Sequence, residues 1–255
     1  MMNSPISKVF AAVLCLMPLT IAVKKAIANQ SSAPISEIST WQKFLVNITD
    51  IIPSIPLDIR YFTAYNFIGR PIDGYQAPKC LLTPQAAQAL QKVQAEAITQ
   101  GYSLKIYDCY RPQQAVDLFL LWAKDLNDTK MQTLFYPHVP KPNLFSQGYI
   151  AEKSGHSRGS TLDLTLIPLN APTLPPCQLD QPCQDNSIDM GSPFDFFDPI
   201  SHTLSPKVSP TQHQNRLRLK TLMEKQGFTN LPEEWWHYTL KDEPYPDTYF
   251  NFPIN

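Results

Sequence analysis

The chain has 255 residues, of which 43% are hydrophobic and 17% charged, and its formal net charge is -1. This length suits one large or two small domains, and 13 Phe, 11 Tyr and 4 Trp supply bulky side chains for a core. The balanced charge provides no basic surface that would neutralise phosphates, so the composition excludes a role in nucleic-acid binding.

The N-terminus has the pattern of an export signal. Lys8 precedes a long apolar run, and Ala26-Ile-Ala28 offers small residues for cleavage. This pattern predicts a signal peptide over residues 1–28, and therefore a periplasmic or secreted protein. Lys24 and Lys25 lie between the apolar run and the cleavage site, which leaves an uncleaved N-terminal anchor as the alternative. No later stretch is apolar enough to span a membrane.

Periodicity and turn residues predict the elements of the remaining chain. Residues 29–40, rich in Ser, Ala and Pro, predict a flexible lead-in to one domain over residues 41–255. In chain order, the predicted elements are a helix from Pro84 that stops at Gly101, a strand over Tyr102–Tyr107, a helix after Pro112, a strand over Thr161–Ile167, an irregular insertion over residues 168–187, a helix over Thr211–Gln226 and a strand over Trp235–Leu240. Helices and strands do not alternate regularly, so we predict an α+β fold with a central, mostly antiparallel sheet flanked by helices.

Cysteine usage agrees with an oxidising compartment. Cys15 lies in the predicted signal, which leaves four cysteines with three possible pairings. Cys177 and Cys183 share one Pro-rich segment, which favours a local disulfide and would leave Cys80 with Cys109. Four free thiols are the alternative, and no two cysteines have the Cys-x-x-Cys spacing of a zinc site.

One candidate metal segment joins His156 to Asp163. Asp163 is an acid inside an apolar strand, which is costly to bury unless it is paired or bound to a metal. The odd offset of seven residues would send the two side chains to opposite faces of one strand. The turn-like residues 157–160 must therefore redirect the backbone if both are to converge. The alternative is a salt bridge between Asp163 and Arg158 or another basic residue.

A second candidate segment, Glu234-Trp-Trp-His237, supplies another imidazole and an acid. Its aromatic residues favour a strand, with Glu234 at the bend that enters it. His156, Asp163 and His237 would give a zinc ion three ligands and leave a fourth position for water, with Glu234 as the general base. The alternative is an exposed acid beside a buried structural histidine.

Together these residues resemble the zinc D-alanyl-D-alanine dipeptidases of the vancomycin-resistance type, within the wider D-Ala-D-Ala metallopeptidases. The resemblance covers nearly all of residues 47–255. It is carried by Arg60-Tyr61, Tyr65-Asn-Phe-x-Gly-Arg-Pro71, Gly101-Tyr102, Asp108-x-Tyr-Arg-Pro112, Ala115-Val116, Ser154-x-His-Ser-Arg-Gly-Ser160, Asp163-Leu-Thr-Leu166, Met190-Gly-Ser192, Phe194-Asp-Phe196, Asn215-Arg216, Glu234-Trp-Trp-His-Tyr238 and Asp242-Glu-Pro-Tyr-Pro246. The chain departs from the usual residues at Thr161 (usually Ala), Gly155 (usually Ser) and Cys109 (usually Gly).

The resemblance implies a role for each site residue. It implies that His156, Asp163 and His237 bind one Zn²⁺ per chain, and that Glu234 is the catalytic base. Arg111 matches an arginine that stabilises the developing oxyanion. Asp195 matches the acid that holds the free ammonium of a small dipeptide substrate, and Tyr61 and Ser154 match residues that line the same pocket. Read alone, Arg111 and Asp195 would be surface ion-pair members, Tyr61 a core residue and Ser154 a turn residue.

The implied reaction is zinc-dependent hydrolysis of D-Ala-D-Ala to two D-alanine. The export signal favours turnover of dipeptide outside the membrane over depletion of a cytoplasmic precursor. Two other functions stay open: a D,D-carboxypeptidase that acts on longer stem peptides, and a non-catalytic zinc-dependent module that binds the cell wall. The sequence gives no oligomeric state.

Overall fold

The computed structural model describes residues 43–255, so the predicted signal peptide (1–28) and lead-in (29–40) lie outside the described residues. Its strands are β1 (Val46–Asn47), β2 (Leu81–Leu82), β3 (Tyr102–Asp108), β4 (Thr161–Pro168), β5 (Phe228–Asn230) and β6 (His237–Leu240). Its α-helices are α1 (Ile48–Ile51), α2 (Pro84–Thr99), α3 (Gln113–Lys124), α4 (Gln132–Phe135) and α5 (Pro210–Lys225). Within these described residues, no helix has the length and apolar character needed to cross a membrane.

A four-stranded sheet with the order β3-β4-β6-β5 forms the centre of the fold, and each neighbouring pair is antiparallel. Helices α2 and α5 contact each other and pack against β3 and β5, respectively. The strands β1 and β2 form a separate antiparallel pair. The predicted α+β class, with a mostly antiparallel sheet flanked by helices, is confirmed.

The central strand β4 is buried on both faces. Leu162, Leu164 and Leu166 alternate with Thr161, Asp163 and Thr165, and all six side chains are buried. Because successive side chains of a strand point to opposite faces, the leucines form one face and Asp163 points to the other. An acid therefore lies in the middle of a strand that is covered on both faces, where it needs a partner.

Local sequence explains where the two longest helices begin. Pro84 is the first residue of α2, as predicted, and Thr83 caps the helix. Helix α5 begins at Pro210, one residue earlier than predicted, because Ser209 and Gln212 form a capping box ahead of it.

The strand predicted over Trp235–Leu240 is two residues too long. Strand β6 begins only at His237, since Trp235 and Trp236 lie in the turn before it. Both indoles are buried, and burial in the core rather than strand pairing accounts for the aromatic run. The short β5 was not predicted.

The insertion over residues 168–187 is irregular after β4, as predicted, and is held by an internal disulfide and by an ion pair near its end. Disulfides join Cys177 to Cys183 and Cys80 to Cys109, so the pairing favoured by the sequence is the one present. Asp185 contacts the buried Arg60 at 2.8 Å, which anchors the end of the insertion to the core.

Candidate active site

Three polar side chains form a row across the sheet on the face opposite the leucines. Asp163 lies directly opposite His237 of β6 and opposite Asp108 of β3. The pairing of β3 shifts register between Ile106 and Asp108. In an unbroken register Asp108 would share the face of Ile106, so the bulge turns its carboxylate toward Asp163.

His156 reaches the same point from outside the sheet. It lies in a 3-10 helix over Gly155–Arg158, and the chain then turns at Gly159 into β4. Gly159 has φ +80°, and a Cβ at this position would lie 2.5 Å from Leu45 Cδ2. The backbone conformation therefore favours glycine, and any Cβ here would also have to displace the Leu45 side chain. The backbone redirection expected over residues 157–160 is present.

The ligand atoms of His156, Asp163 and His237 face one another. These atoms all lie within 4.8 Å of one another. His156 Nε2 is 3.2 Å from Asp163 Oδ2, and His237 Nδ1 is 3.1 Å from Asp163 Oδ1. His156 Nδ1 donates to the carbonyl of Cys109 at 2.7 Å, so its Nε2 lone pair is directed at the cluster. Such a hydrogen bond on the far nitrogen is typical of a histidine that binds a metal.

The chemistry of this cluster fits a divalent metal. Asp163 Oδ1 is buried and makes no hydrogen bond, and three electron-pair donors at this separation repel unless a cation or proton lies between them. Burial lowers the pKa of His156, which favours the neutral imidazole that metal binding requires. Burial opposes ionisation of Asp163, but His156 and His237 outweigh it and lower the pKa of its carboxyl group. Two imidazoles and one carboxylate are a usual ligand set for Zn²⁺.

Glu234 lies beside this cluster in the bend before β6, as predicted. The amide of His237 donates to the carbonyl of Glu234 at 3.3 Å, and Glu234 Oε2 lies 3.5 Å from His237 Nδ1. Burial, aided by the negative charge of Asp163, raises the pKa of Glu234 to about 7. A carboxylate whose pKa lies near neutrality is suited to general acid–base catalysis.

The carboxylate of Asp108 holds Arg111 next to the cluster. Its Nε and a terminal nitrogen lie 3.0 and 2.9 Å from Asp108 Oδ2, and a terminal nitrogen lies 3.6 Å from Asp163 Oδ2. The guanidinium also lies over the rings of Tyr61 and Phe119. It is therefore a fixed donor rather than a surface ion-pair member. Arg158, in contrast, pairs with Glu243 at 2.7 Å, so it does not neutralise Asp163.

Asp195 is a buried acid. Among the described residues, no charged side chain forms an ion pair with it. Its Oδ2 accepts a hydrogen bond from Tyr61 Oη at 2.8 Å. The residue has φ +60°, a conformation that Asp tolerates better than most residues, and the adjacent Phe194 stacks on Tyr107. Burial, together with the negative charge of Asp163, raises the pKa of Asp195 well above its usual range. A cation beside it would restore its charged form.

One cavity of about 270 Å³ brings these groups together. All eight residues singled out in the sequence line it: Tyr61, Arg111, Ser154, His156, Asp163, Asp195, Glu234 and His237. Ser154 also accepts a hydrogen bond from the amide of His156 at 3.3 Å. The volume is below the roughly 300–1,000 Å³ of pockets for drug-sized ligands, so the cavity suits a small molecule.

Three residues near this cavity received no role from the sequence. Asp108 was visible only as part of the motif that ends in Arg111, three residues later. Tyr149 and Lys153 also line the cavity, but they lie in a segment without periodicity, so no sequence signal pointed to them.

The other three histidines do not line the cavity. His138 is exposed and contacts Asp198 at 2.7 Å. His202 follows the 3-10 helix over Pro199–Ser201, and His213 is a half-buried residue of α5.

Comparison with known proteins gives one consistent family. The sequence profile of the peptidase M15 family, described as D-ala-D-ala dipeptidase, matches residues 42–255. The chain is 41% identical to a D-alanyl-D-alanine dipeptidase of Enterococcus faecium over 207 residues, which are 81% of this chain and 96% of that protein. It is 40% identical to one of Streptomyces coelicolor, with the same coverage. It is 33% identical to one of Escherichia coli over 77% of this chain and 84% of that protein.

Proposed function

Because this chain belongs to the peptidase M15 family of D-Ala-D-Ala dipeptidases, which are metal-dependent peptidases, we propose that it hydrolyses the dipeptide D-Ala-D-Ala to two D-alanine. The observation that carries this proposal is the buried Asp195 in the same small cavity as the His156, Asp163 and His237 cluster and Glu234. A peptide-cleaving centre and an acid for a free ammonium, enclosed together, suit a substrate that has its amino terminus next to the bond to be cleaved.

In this proposal His156, Asp163 and His237 hold one zinc ion. When bound, such an ion supplies Lewis acidity, which polarises a carbonyl oxygen and lowers the pKa of a nearby water molecule. The protein fixes the ligands beforehand: Asp163 and His237 are cross-strand partners, and the Cys109 carbonyl orients His156.

Glu234 moves the proton in this scheme. Its carboxylate accepts a proton from the attacking water as the water oxygen bonds to the carbonyl carbon. The same carboxyl group then delivers that proton to the amine nitrogen as the C–N bond breaks. Its position in the bend before His237 keeps it close to the ligand cluster without occupying a place in it.

Arg111 stabilises charge on the former carbonyl oxygen. Negative charge develops there only as the carbonyl carbon becomes tetrahedral, so a guanidinium fixed beforehand favours the transition state over the bound substrate. Asp108 holds Arg111 in place, and the bulge in β3 puts Asp108 there.

Asp195 binds the ammonium of the substrate, with Tyr61 and Ser154 at the wall of the same pocket. A buried carboxylate is costly until a cation neutralises it, so binding favours substrates with a free amine. Replacing Asp195 with Asn removes the charge at nearly constant volume. We expect it to raise KM for the free dipeptide and to leave the metal content of the protein unchanged.

The rival function is a D,D-carboxypeptidase, which would share the metal ligands and Glu234 but accept an acylated amine. The test is release of D-alanine by the purified protein, with and without a chelator, from D-Ala-D-Ala and from an N-acylated tripeptide that ends in D-Ala-D-Ala. Metal-dependent cleavage of the dipeptide alone supports the proposal. Cleavage of the acylated peptide would assign the chain to the carboxypeptidases, and cleavage of neither would favour a binding module.

We further propose that the protein acts outside the cytoplasm, in turnover of D-Ala-D-Ala released from peptidoglycan. The N-terminal pattern over residues 1–28 supports export, and the two disulfides suit an oxidising compartment. Cell fractionation tests this location. Active, fully reduced protein in the cytosol would contradict it.

A further inference from the structure

One arginine and one lysine line the cavity, and their surroundings differ. Arg111 is occupied by Asp108 and enclosed by Tyr61 and Phe119. Lys153 is exposed, and its ammonium lies 5.0 Å from the centre of the Tyr249 ring. Within residues 43–255 no carboxylate forms an ion pair with Lys153. Lys153 is therefore the cavity cation that is available to a ligand.

The proposed substrate has a second charge that Asp195 does not serve. A free dipeptide carries a carboxylate as well as an ammonium, and an ion that leaves water needs a partner of opposite charge. The acids that line the cavity, Asp163, Asp195 and Glu234, would repel this carboxylate. Arg111 is already paired and faces the ligand cluster, where it is within 3.6 Å of Asp163.

Distance also favours a separate group for the carboxylate. An extended dipeptide spans only about 7 Å, so the groups that bind its two ends must both border one small space. Asp195 and Lys153 both line this cavity. Lys153 directly precedes Ser154, whose side chain accepts a hydrogen bond from the amide of His156, so the backbone at Lys153 is tied to the ligand cluster.

We propose that Lys153 binds the C-terminal carboxylate of the substrate, and that the Lys153 ammonium leaves the ring of Tyr249 to do so. This inference rests on the proposed hydrolysis of a free dipeptide. Recognition of both charged ends makes the cavity selective for length: Asp195 disfavours an acylated amine, and Lys153 disfavours an amidated or extended carboxyl end.

The test compares D-Ala-D-Ala with its C-terminal amide in wild-type protein, Lys153→Met and Lys153→Arg. We expect Lys153→Met to raise KM for the free acid about tenfold, the loss expected for one hydrogen-bonded ion pair, with little change in kcat. KM for the amide should stay unchanged, because the amide has no charge for Lys153 to bind. Lys153→Arg should restore most of the affinity for the free acid.

A matched control removes an exposed lysine elsewhere. Lys92→Met on α2 changes the net charge equally, and it should leave KM unchanged for both substrates. If Lys153→Met raised KM equally for acid and amide, or for neither, the carboxylate role of Lys153 would be refuted. If wild-type protein cleaved neither substrate, the dipeptidase function itself would fail, which is a different outcome.

Discussion

The carboxylate of Asp108 is the group on which the arrangement of Arg111 depends most directly. Asp108 is fully buried. One of its oxygens accepts from Tyr75 Oη at 2.7 Å, and the other contacts Arg111 through two nitrogens at 3.0 and 2.9 Å. Replacing Asp108 with Asn keeps the volume but removes the charge. Arg111 is then left buried with Asp163, 3.6 Å away, as the nearest carboxylate.

Two magnitudes follow from this geometry. Removing one partner of a buried ion pair lowers the free energy of unfolding by about 3–5 kcal/mol. Asn can still form hydrogen bonds, so we expect Asp108→Asn to lie near the lower end of this range, at about 3 kcal/mol. Arg111 should also shift toward Asp163, away from the position in which it stabilises the developing oxyanion. Loss of one such donor lowers kcat by about 100-fold or more.

The assay is urea unfolding together with steady-state hydrolysis of D-Ala-D-Ala. The chain offers a matched control, since Arg70 and Asp73 form another ion pair three residues apart, but with side chains 45% and 66% exposed. Asp73→Asn should cost no more than about 1 kcal/mol and leave kcat unchanged. If Asp108→Asn matched this control in both stability and kcat, the assignment of Asp108 as the positioning residue for Arg111 would be wrong.

Two other predictions concern the base and the disulfides. Glu234→Gln should lower kcat by about 100-fold or more, while the protein still binds one zinc ion per chain. Metal analysis after dialysis measures the bound zinc. Loss of the metal in this variant would show that Glu234 is a ligand and not the base. Replacing Cys80 and Cys109 together with Ala should lower the free energy of unfolding by about 4 kcal/mol and weaken zinc binding up to about tenfold, because the Cys109 carbonyl orients His156. The Cys177–Cys183 disulfide closes a shorter loop. Replacing both of its cysteines with Ala should therefore lower the free energy of unfolding by only about 2 kcal/mol. Zinc affinity, measured by competition with a chelating dye, should not change.

Local pattern was sufficient for the regular elements. Pro84 and Gly101 predicted the extent of α2, and the strand predicted over Thr161–Ile167 matches β4. These features depend on neighbours within a few residues, so the sequence contains the whole explanation. The boundary of β6 was predicted less well, because Trp235 and Trp236 have strand-like side chains but are buried in a turn.

The sequence by itself also determined the chemistry that is present. His156, Asp163, His237 and Glu234 are residue types that bind metals and move protons, and an acid within an apolar strand signals that something must neutralise it. The chemical type of a side chain is a property of the residue, so it can be read without coordinates, whereas burial in the fold shifts the pKa of Glu234 and Asp195.

Only the tertiary structure decided how these groups meet. The antiparallel pairing of β4 with β6 places Asp163 beside His237, and a single bulge in β3 turns Asp108 from the leucine face to the face of the site. Strand register and bulges depend on contacts between residues that are far apart in the chain. The same holds for Lys153: it directly precedes the Ser154-x-His156 motif in sequence, but only the folded chain shows that its side chain lines the cavity.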